Sequence, residues 1–312
     1  MRRQIPLILD TDIGGDIDDT WALAMLLKCP HLDVRLIVSS TGDTEYRAKI
    51  VGKMLEIAGR TDIPIALGPP TDQAAYPQAQ WVAGYDLADY PGEVLRDGVA
   101  AMVEALKREE NPTLLCIGPA TTVARAMERD PSLAPKTRFV GMFGCIRRSK
   151  NGSDRVIAEY NVKADIPAAQ AVFVAPWQEM RITPLDTCGQ VRLDGSLYAR
   201  VRDCREPLPA AVMENYRLWA PTRPEYDPAT RTSVLFDCVA VHLVYSTQYL
   251  AMEHMGLRVD DEGFTVRDDS ARPADTAIDW CDLDGFKADL VAGLCATRGQ
   301  KITPRLGPRI GG

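Results

Sequence analysis

The chain has 312 residues, with 36 Lys and Arg against 43 Asp and Glu for a net charge of −7, and it is 46% hydrophobic and 25% charged. Such a balance supports a sizeable globular core and excludes a disordered chain, a collagen-like repeat and a disulfide-stapled miniprotein. Excess acid without any basic run also removes the footprint that nucleic-acid binding needs, so an acidic cleft that attracts a cation is the better match.

At the N-terminus, MRRQIPLILDTD has two arginines, but its apolar run stops at Leu9, too short for a signal-peptide core. No stretch reaches the roughly 18 apolar residues that would span a bilayer. A cytoplasmic protein with no membrane partner is the expectation. Short β-type runs then alternate with helical patterns through the first 140 residues, the signature of parallel βαβ units covered on both faces. Strands are predicted at Pro6 to Leu9, Val34 to Ser39, Pro64 to Leu67, Thr113 to Ile117 and Phe139 to Phe143. Between them, Tyr46, Ile50, Val51, Met54, Leu55 and Ala58 recur at helical spacing, as do Val94, Val99, Met102, Val103 and Leu106. The fold class is therefore α/β, Rossmann-like, with a mostly parallel sheet flanked by helices. No composition shift or internal repeat divides the chain, so residues 1–295 are expected as one domain and 296–312 as a frayed tail.

Beyond residue 143 the pattern is less regular. Arg147 to Arg155 reads as an exposed loop, and Leu218 to Arg231, with three prolines, as a second long loop or a broken helix. Loops of that length are commonly binding elements. The eight cysteines are scattered with no C-x-x-C pair and read as reduced thiols, most of them buried. Neither Cys145 nor Cys238 has a histidine the sequence places beside it, and the G-x-S-x-G, P-loop and G-x-G-x-x-G patterns are absent.

Chemistry concentrates in residues 7–27, LILDTDIGGDIDDTWALAMLL, where Asp10, Asp12, Asp16, Asp18 and Asp19 follow a strand and open a helix. In open parallel sheets, ligands sit beyond the carboxyl ends of strands. Like carboxylates raise one another's pKa, and a bound divalent cation is the simplest remedy. An all-oxygen donor set suits hard Ca²⁺ or Mg²⁺, and Ca²⁺ better accepts several carboxylates plus a carbonyl. An EF-hand fails because the twelfth position from Asp10 is Trp21, where a bidentate Glu is required. Helix capping would account for Asp10 and Asp18 but not for all five acids.

Asp10-Thr11-Asp12 followed by Asp18-Asp19-Thr20-Trp21-Ala22-Leu23 resembles the D-x-D…D-D-x-x-A-L signature of the inosine-uridine-preferring nucleoside hydrolase family, with two extra residues before the double aspartate. Gly118-Pro119-Ala120-Thr121, Ala158-Glu159-Tyr160-Asn161 and Phe236-Asp237-Cys238-Val239-Ala240-Val241 resemble three later family motifs in order. The resemblance implies Ca²⁺ held by Asp12, Asp18, Asp19, the Thr121 carbonyl and Asp237. It makes Asp12 the general base on a metal-bound water, which attacks the anomeric carbon of a ribonucleoside to give ribose and free base. Asp18, Glu159, Asn161 and Met142 would bind the small-molecule substrate, and a homo-oligomer, dimer or tetramer, is the expected assembly. Glu159 and Asn161 would point the same way if extended, offering an acceptor and an amide to the sugar; Thr121 would also N-cap a helix. An equally fitting place for Met142 is the core.

Phe236 stands where the family's best-known branch has the histidine that protonates the departing base. Tyr216, Trp219, Arg223 and Tyr226, in or beside the proline-broken loop, are the candidates to replace it. Ser153 and Asp43 depart from asparagines, leaving base specificity open. Two other readings are weighed: a non-catalytic calcium- or sugar-binding protein, and a haloacid-dehalogenase-type phosphohydrolase, whose D-x-D needs a small hydroxyl residue where Ile13-Gly14-Gly15 stands.

Overall fold

The computed structural model describes residues 4–72 and 75–297. Its strands are β1 Ile5–Thr11, β2 Leu32–Ser39, β3 Ile65–Leu67, β4 Val94–Leu95, β5 Thr113–Cys116, β6 Arg138–Met142, β7 Glu179–Thr183, β8 Leu250–Val259, β9 Thr265–Arg267 and β10 Pro273–Trp280. Its helices are α1 Asp18–Lys28, α2 Thr44–Ala58, α3 Gly98–Arg108, α4 Thr121–Arg129, α5 Tyr160–Lys163, α6 Ile166–Val174, α7 Leu185–Cys188, α8 Gly195–Arg202, α9 Pro207–Trp219, α10 Phe236–Tyr245 and α11 Leu283–Leu294. Nearly all of the predicted tail, residues 298–312, lies outside the described residues. Among those described, no helix is long and apolar enough to cross a membrane.

The strands form one sheet in the order β4-β3-β2-β1-β5-β6-β7-β10-β8-β9. From β4 through β10 every neighbouring pair is parallel, and β8 enters antiparallel between β10 and β9. Strand β1 is buried along its last five residues because helices cover both faces. Pleating sends Leu7 and Leu9 into the core shared with α1, α2, α9 and α10, and Ile8 into the core shared with α3, α4 and α6. The predicted α3 face needs one correction. Val94 is not helical: it pairs with Ile65 on β3, and the Asp97 side chain accepts from Ala100 N (2.9 Å), starting the helix at Gly98.

Strand order reverses at β1, with β2 to β4 on one side and β5 to β7 on the other. The crevice beyond the carboxyl ends of β1 and β5 is thus the topological switch point where α/β sheets bind ligands. Asp12 leaves β1 there beside the β5 turn. A Cβ on Gly118 would lie 2.9 Å from the Asp12 nitrogen and 3.0 Å from its carboxylate, so glycine is required for the two loops to touch.

Candidate active site

Asp18 and Asp19 occupy the first turn of α1, Asp237 the first turn of α10, and the two helices pack on one another. All three side chains are buried, and they bring carboxylate oxygens within 4.8 Å of one another. Burial pushes the Asp18 carboxyl up to about 8, with Asp16 the next cause. Asp237 and Asp19 are raised well above the carboxylate range, again by burial first and then by neighbouring acids. Thr11 Oγ1 donates to Asp19 (2.5 Å), a partial compensation. Three buried acids facing one another form an electrostatically unsatisfied oxygen cage, suited to a hard divalent cation.

Asp12 lies beside this trio but outside it. Burial raises its pKa, and the Arg47 guanidinium, 3.9 Å away, opposes the rise. Arg47 is itself buried and holds two loops by donating to the carbonyls of Ile13 (2.9 Å) and Thr41 (2.8 Å). The loop after Asp12, which carries the two extra residues, is fixed carbonyl by carbonyl. Arg47 takes Ile13, Tyr46 Oη takes Gly14 (3.0 Å), Trp219 Nε1 takes Gly15 (3.0 Å) and Gln78 Nε2 takes Asp16 (2.9 Å). Gly14 adopts φ +107°, a conformation that glycine tolerates. Gln78, fully buried, also accepts from Thr20 (3.2 Å) and Asn215 (2.6 Å), so it joins α1, α9 and the loop.

Neither Arg47 nor Gln78 was expected from the sequence. Arg47 left a signal, since it stands three and four residues before Ile50 and Val51 on the apolar face of α2, where a cation must find a buried partner. Gln78 left none.

Two of the acids singled out belong elsewhere. Asp10 is buried beneath the site, accepting from Ser40 Oγ (2.6 Å) and Cys116 Sγ (3.6 Å), and burial raises it to about 7. Asp16 stays outside the trio on an exposed residue, yet burial of its carboxyl raises its pKa, with the Arg223 and Lys150 cations opposing, and its charge acts on Asp18.

On the β6 side, Glu159 and Asn161 come together, though not through the extended segment expected. Glu159 N-caps α5, its carboxylate accepting from the backbone of Asn161 (2.8 Å), Gly144 (3.1 Å) and Val162 (3.2 Å). Burial nonetheless lifts it to about 7. The Asn161 amide nitrogen is spent on the carbonyls of Ile117 and Met142, both at 3.1 Å, so the side chain offers an acceptor and not the amide donor predicted. Met142 is buried at the end of β6 with its sulfur 3.3 Å from that nitrogen. Thr121 is the first residue of α4, not its cap; Ala120 holds the cap position, and the Thr121 hydroxyl donates to Asp165 (2.6 Å). Asp43 caps α2 by accepting from Tyr46 N (2.9 Å), whereas Ser153 is exposed in the 147–155 loop.

The proline-rich segment continues α9 as a short 3₁₀ turn, Ala220–Thr222, and then a loop. Trp219 anchors it to the acidic loop. Tyr226 lies tilted against Trp219 (5.6 Å between centroids), with the Arg192 guanidinium 5.7 Å from the Tyr226 ring. Tyr216 stays beneath, its hydroxyl donating to the Arg231 carbonyl (2.9 Å). Among the described residues no histidine joins the acids: His242 is buried among Tyr245, Tyr249 and Phe286, and His254 pairs with Asp275 (2.7 Å).

Sequence and structure comparisons bear on the family and the fold. The family described as inosine-uridine preferring nucleoside hydrolase matches residues 7–288. The non-specific ribonucleoside hydrolase RihC of Escherichia coli O1:K1 is 32% identical over 183 residues, 54% of this chain and 58% of the relative. The chain thus matches somewhat over half the length of such relatives. Among solved structures, a plant nucleoside hydrolase superposes with a TM-score of 0.81 at 19% identity, covering 95% of this chain and 100% of that one. An inosine-uridine preferring nucleoside hydrolase from Bacillus anthracis gives 0.75 at 21% identity, covering 94% and 99%. Identities this low establish the shared fold.

Proposed function

Because the chain belongs to the inosine-uridine preferring nucleoside hydrolase family, we propose that it hydrolyses the N-glycosidic bond of a ribonucleoside, giving ribose and free base. The observation that carries this reading is the buried trio Asp18, Asp19 and Asp237 set beside Asp12 at the sheet's switch point. Asp12, Asp18, Asp19, Asp237 and the Thr121 carbonyl would hold a Ca²⁺ ion; such a donor set contains only oxygen and needs a counter-charge. Bound there, the ion would neutralise the cage and orient water and the sugar diol.

The chain's own groups supply the rest. Asp12 takes the proton of the attacking water, and Arg47 favours its ionised form. Asp18 and Glu159 present carboxylate oxygens, and Asn161 its carbonyl, to the hydroxyl donors of the ribose. Positive charge grows on the sugar as the bond to the base lengthens, and the surrounding carboxylates stabilise that oxocarbenium character. At the mouth, Tyr226 is the group we assign to the leaving base, in place of the imidazole that Phe236 replaces.

Asp12→Asn should leave the fold intact and lower turnover by about 10²- to 10⁴-fold, read as ribose released from a panel of nucleosides. Full activity in that variant would refute the assigned base. The apolar Phe236 also favours a second reading, a sugar-binding protein without turnover. Nucleoside binding by the wild type with no ribose formed would establish it.

A further inference from the structure

One buried amide reaches the acid loop from a distant part of the chain. Gln78 lies fully buried between β3 and β4, directly ahead of the 3₁₀ turn Ala79–Val82. That turn is fastened on two sides: Lys53 Nζ of α2 donates to the Trp81 carbonyl (2.5 Å), and Trp81 Nε1 donates to Glu214 of α9 (3.3 Å). The Gln78 backbone N–H donates to Tyr46 Oη (3.0 Å), the same hydroxyl that donates to the Gly14 carbonyl (3.0 Å). The side chain goes further. The Asp16 carbonyl can only accept, so the Gln78 atom 2.9 Å from it is the amide nitrogen. The amide oxygen then faces Thr20 Oγ1 (3.2 Å) and Asn215 Nδ2 (2.6 Å), and both donate to it. One planar group therefore grips the chain at residue 16 and again at residue 20, on either side of Asp18 and Asp19.

Asp18 and Asp19 face Asp237 in a buried site, and before a cation joins them their repulsion pushes the start of α1 outward. The loop leading into them carries two successive glycines, Gly14 at φ +107°, and so has little stiffness of its own. We infer that Gln78 is a positioning residue for the acid trio: by fixing Asp16 and Thr20 it holds the double aspartate in the arrangement a divalent cation needs, and thereby sets the affinity of the site. This deepens the cation reading given above and rests on it. Gln78 acts through Asp16 and Thr20, and the ordering it imposes ahead of binding is ordering the ion does not have to impose.

The test is Ca²⁺ titrated calorimetrically into the chelator-treated full chain, the heat that Asp237→Asn removes being the site's own. Gln78→Met keeps the length of the side chain and deletes its three hydrogen bonds; it should raise Kd by about 10- to 100-fold, as for other residues that orient metal ligands. Thr20→Val is isosteric, cuts only the arm to α1 and should raise Kd by less. The double variant should bind no more weakly than Gln78→Met alone, because both changes break one connection. Leu106→Ala, in the core on the opposite face of the sheet, is the stability control: it should lower the melting temperature and leave Kd unchanged. Should Gln78→Met fail to fold, Thr20→Val decides the matter by itself. Wild-type Kd in folded Gln78→Met or in Thr20→Val, losses that add in the double variant, or an equal loss in Leu106→Ala would overturn the inference and leave the cation reading standing. A wild type whose Ca²⁺ heat matches that of Asp237→Asn would remove both.

Discussion

The guanidinium of Arg47 stands 3.9 Å from the carboxylate of Asp12 while its other nitrogens bond the carbonyls of Ile13 and Thr41. A single side chain thus sets both the charge of the proposed base and the path of the loop that delivers the double aspartate. The arrangement separates Asp12 from the trio chemically. Asp12 has a cation to oppose the cost of its burial, whereas Asp18, Asp19 and Asp237 have mostly one another.

Replacing Arg47 by Met tests that double role. The variant leaves two buried carbonyls short of a donor and should lose about 1 to 3 kcal/mol of stability. Turnover should fall by more than the stability loss explains, because Asp12 loses the charge that favours its ionised form. Urea denaturation and ribose release measured under conditions where the variant remains folded separate the two effects. A folded variant with wild-type turnover would show that Arg47 serves the loop alone.

Much of this site was legible in the sequence because its acids sit in the short runs that end β1 and open α1, where local pattern and chemistry coincide. Asp237 and Glu159 were reachable through motif order, since a sheet's switch point gathers residues far apart in the chain. Side-chain economy was not legible. The Asn161 amide is consumed by the Ile117 and Met142 carbonyls, and the Thr121 hydroxyl by Asp165, partners fixed by tertiary packing alone. Gln78 carries no such mark for the same reason: its three side-chain hydrogen bonds come from α1, α9 and the loop, and no local periodicity points to it. The boundary at Val94 was misread because an apolar residue three positions before a capping aspartate fits either a strand or a helix face.

His242 gives a pH dependence of stability. Burial depresses its pKa from 6.5 to about 3, and its Nε2 has no hydrogen-bond partner. The folded state therefore holds the ring neutral, whereas the unfolded chain takes up a proton below pH 6.5. This group's contribution is complete above pH 6.5 and lost as pH falls towards 3, by about 1.4 kcal/mol per unit and roughly 5 kcal/mol in all. His242→Phe keeps an aromatic ring against Tyr249 and Phe286 and removes the titration. Its urea midpoint should fall less steeply than that of the wild type between pH 6.5 and 5; parallel slopes would rule the mechanism out.

The oxygen cage predicts a response to metal. Ca²⁺ that binds the folded chain and not the unfolded one should stabilise it by about 2.7 kcal/mol at a hundredfold excess over Kd. Thermal unfolding of chelator-treated protein, with Ca²⁺ or Mg²⁺ then added, reads this directly. The melting temperature should rise with Ca²⁺, and less with Mg²⁺, whose smaller octahedral shell fits a multi-carboxylate cage poorly. Asp237→Asn should abolish most of the rise. An unchanged melting temperature after verified chelation and re-addition would remove the metal from the reading.

The absence of an imidazole at Phe236 leaves a question that the leaving group itself can answer. If Tyr226, with Arg192 beside its ring and Trp219 against it, delivers the proton or hydrogen bond the departing base needs, then its hydroxyl matters in proportion to how poorly that base leaves. Tyr226→Phe keeps the stacking surface and removes the donor. Its kcat on inosine or uridine should drop by about 10²-fold, within the range usual for a lost acid, while its kcat on p-nitrophenyl riboside, whose phenolate departs unaided, should change little. An equal loss on both substrates would mean that Tyr226 shapes the pocket and some other group, or water, meets the base. No loss on either would mean that the 222–231 loop does not face the reaction.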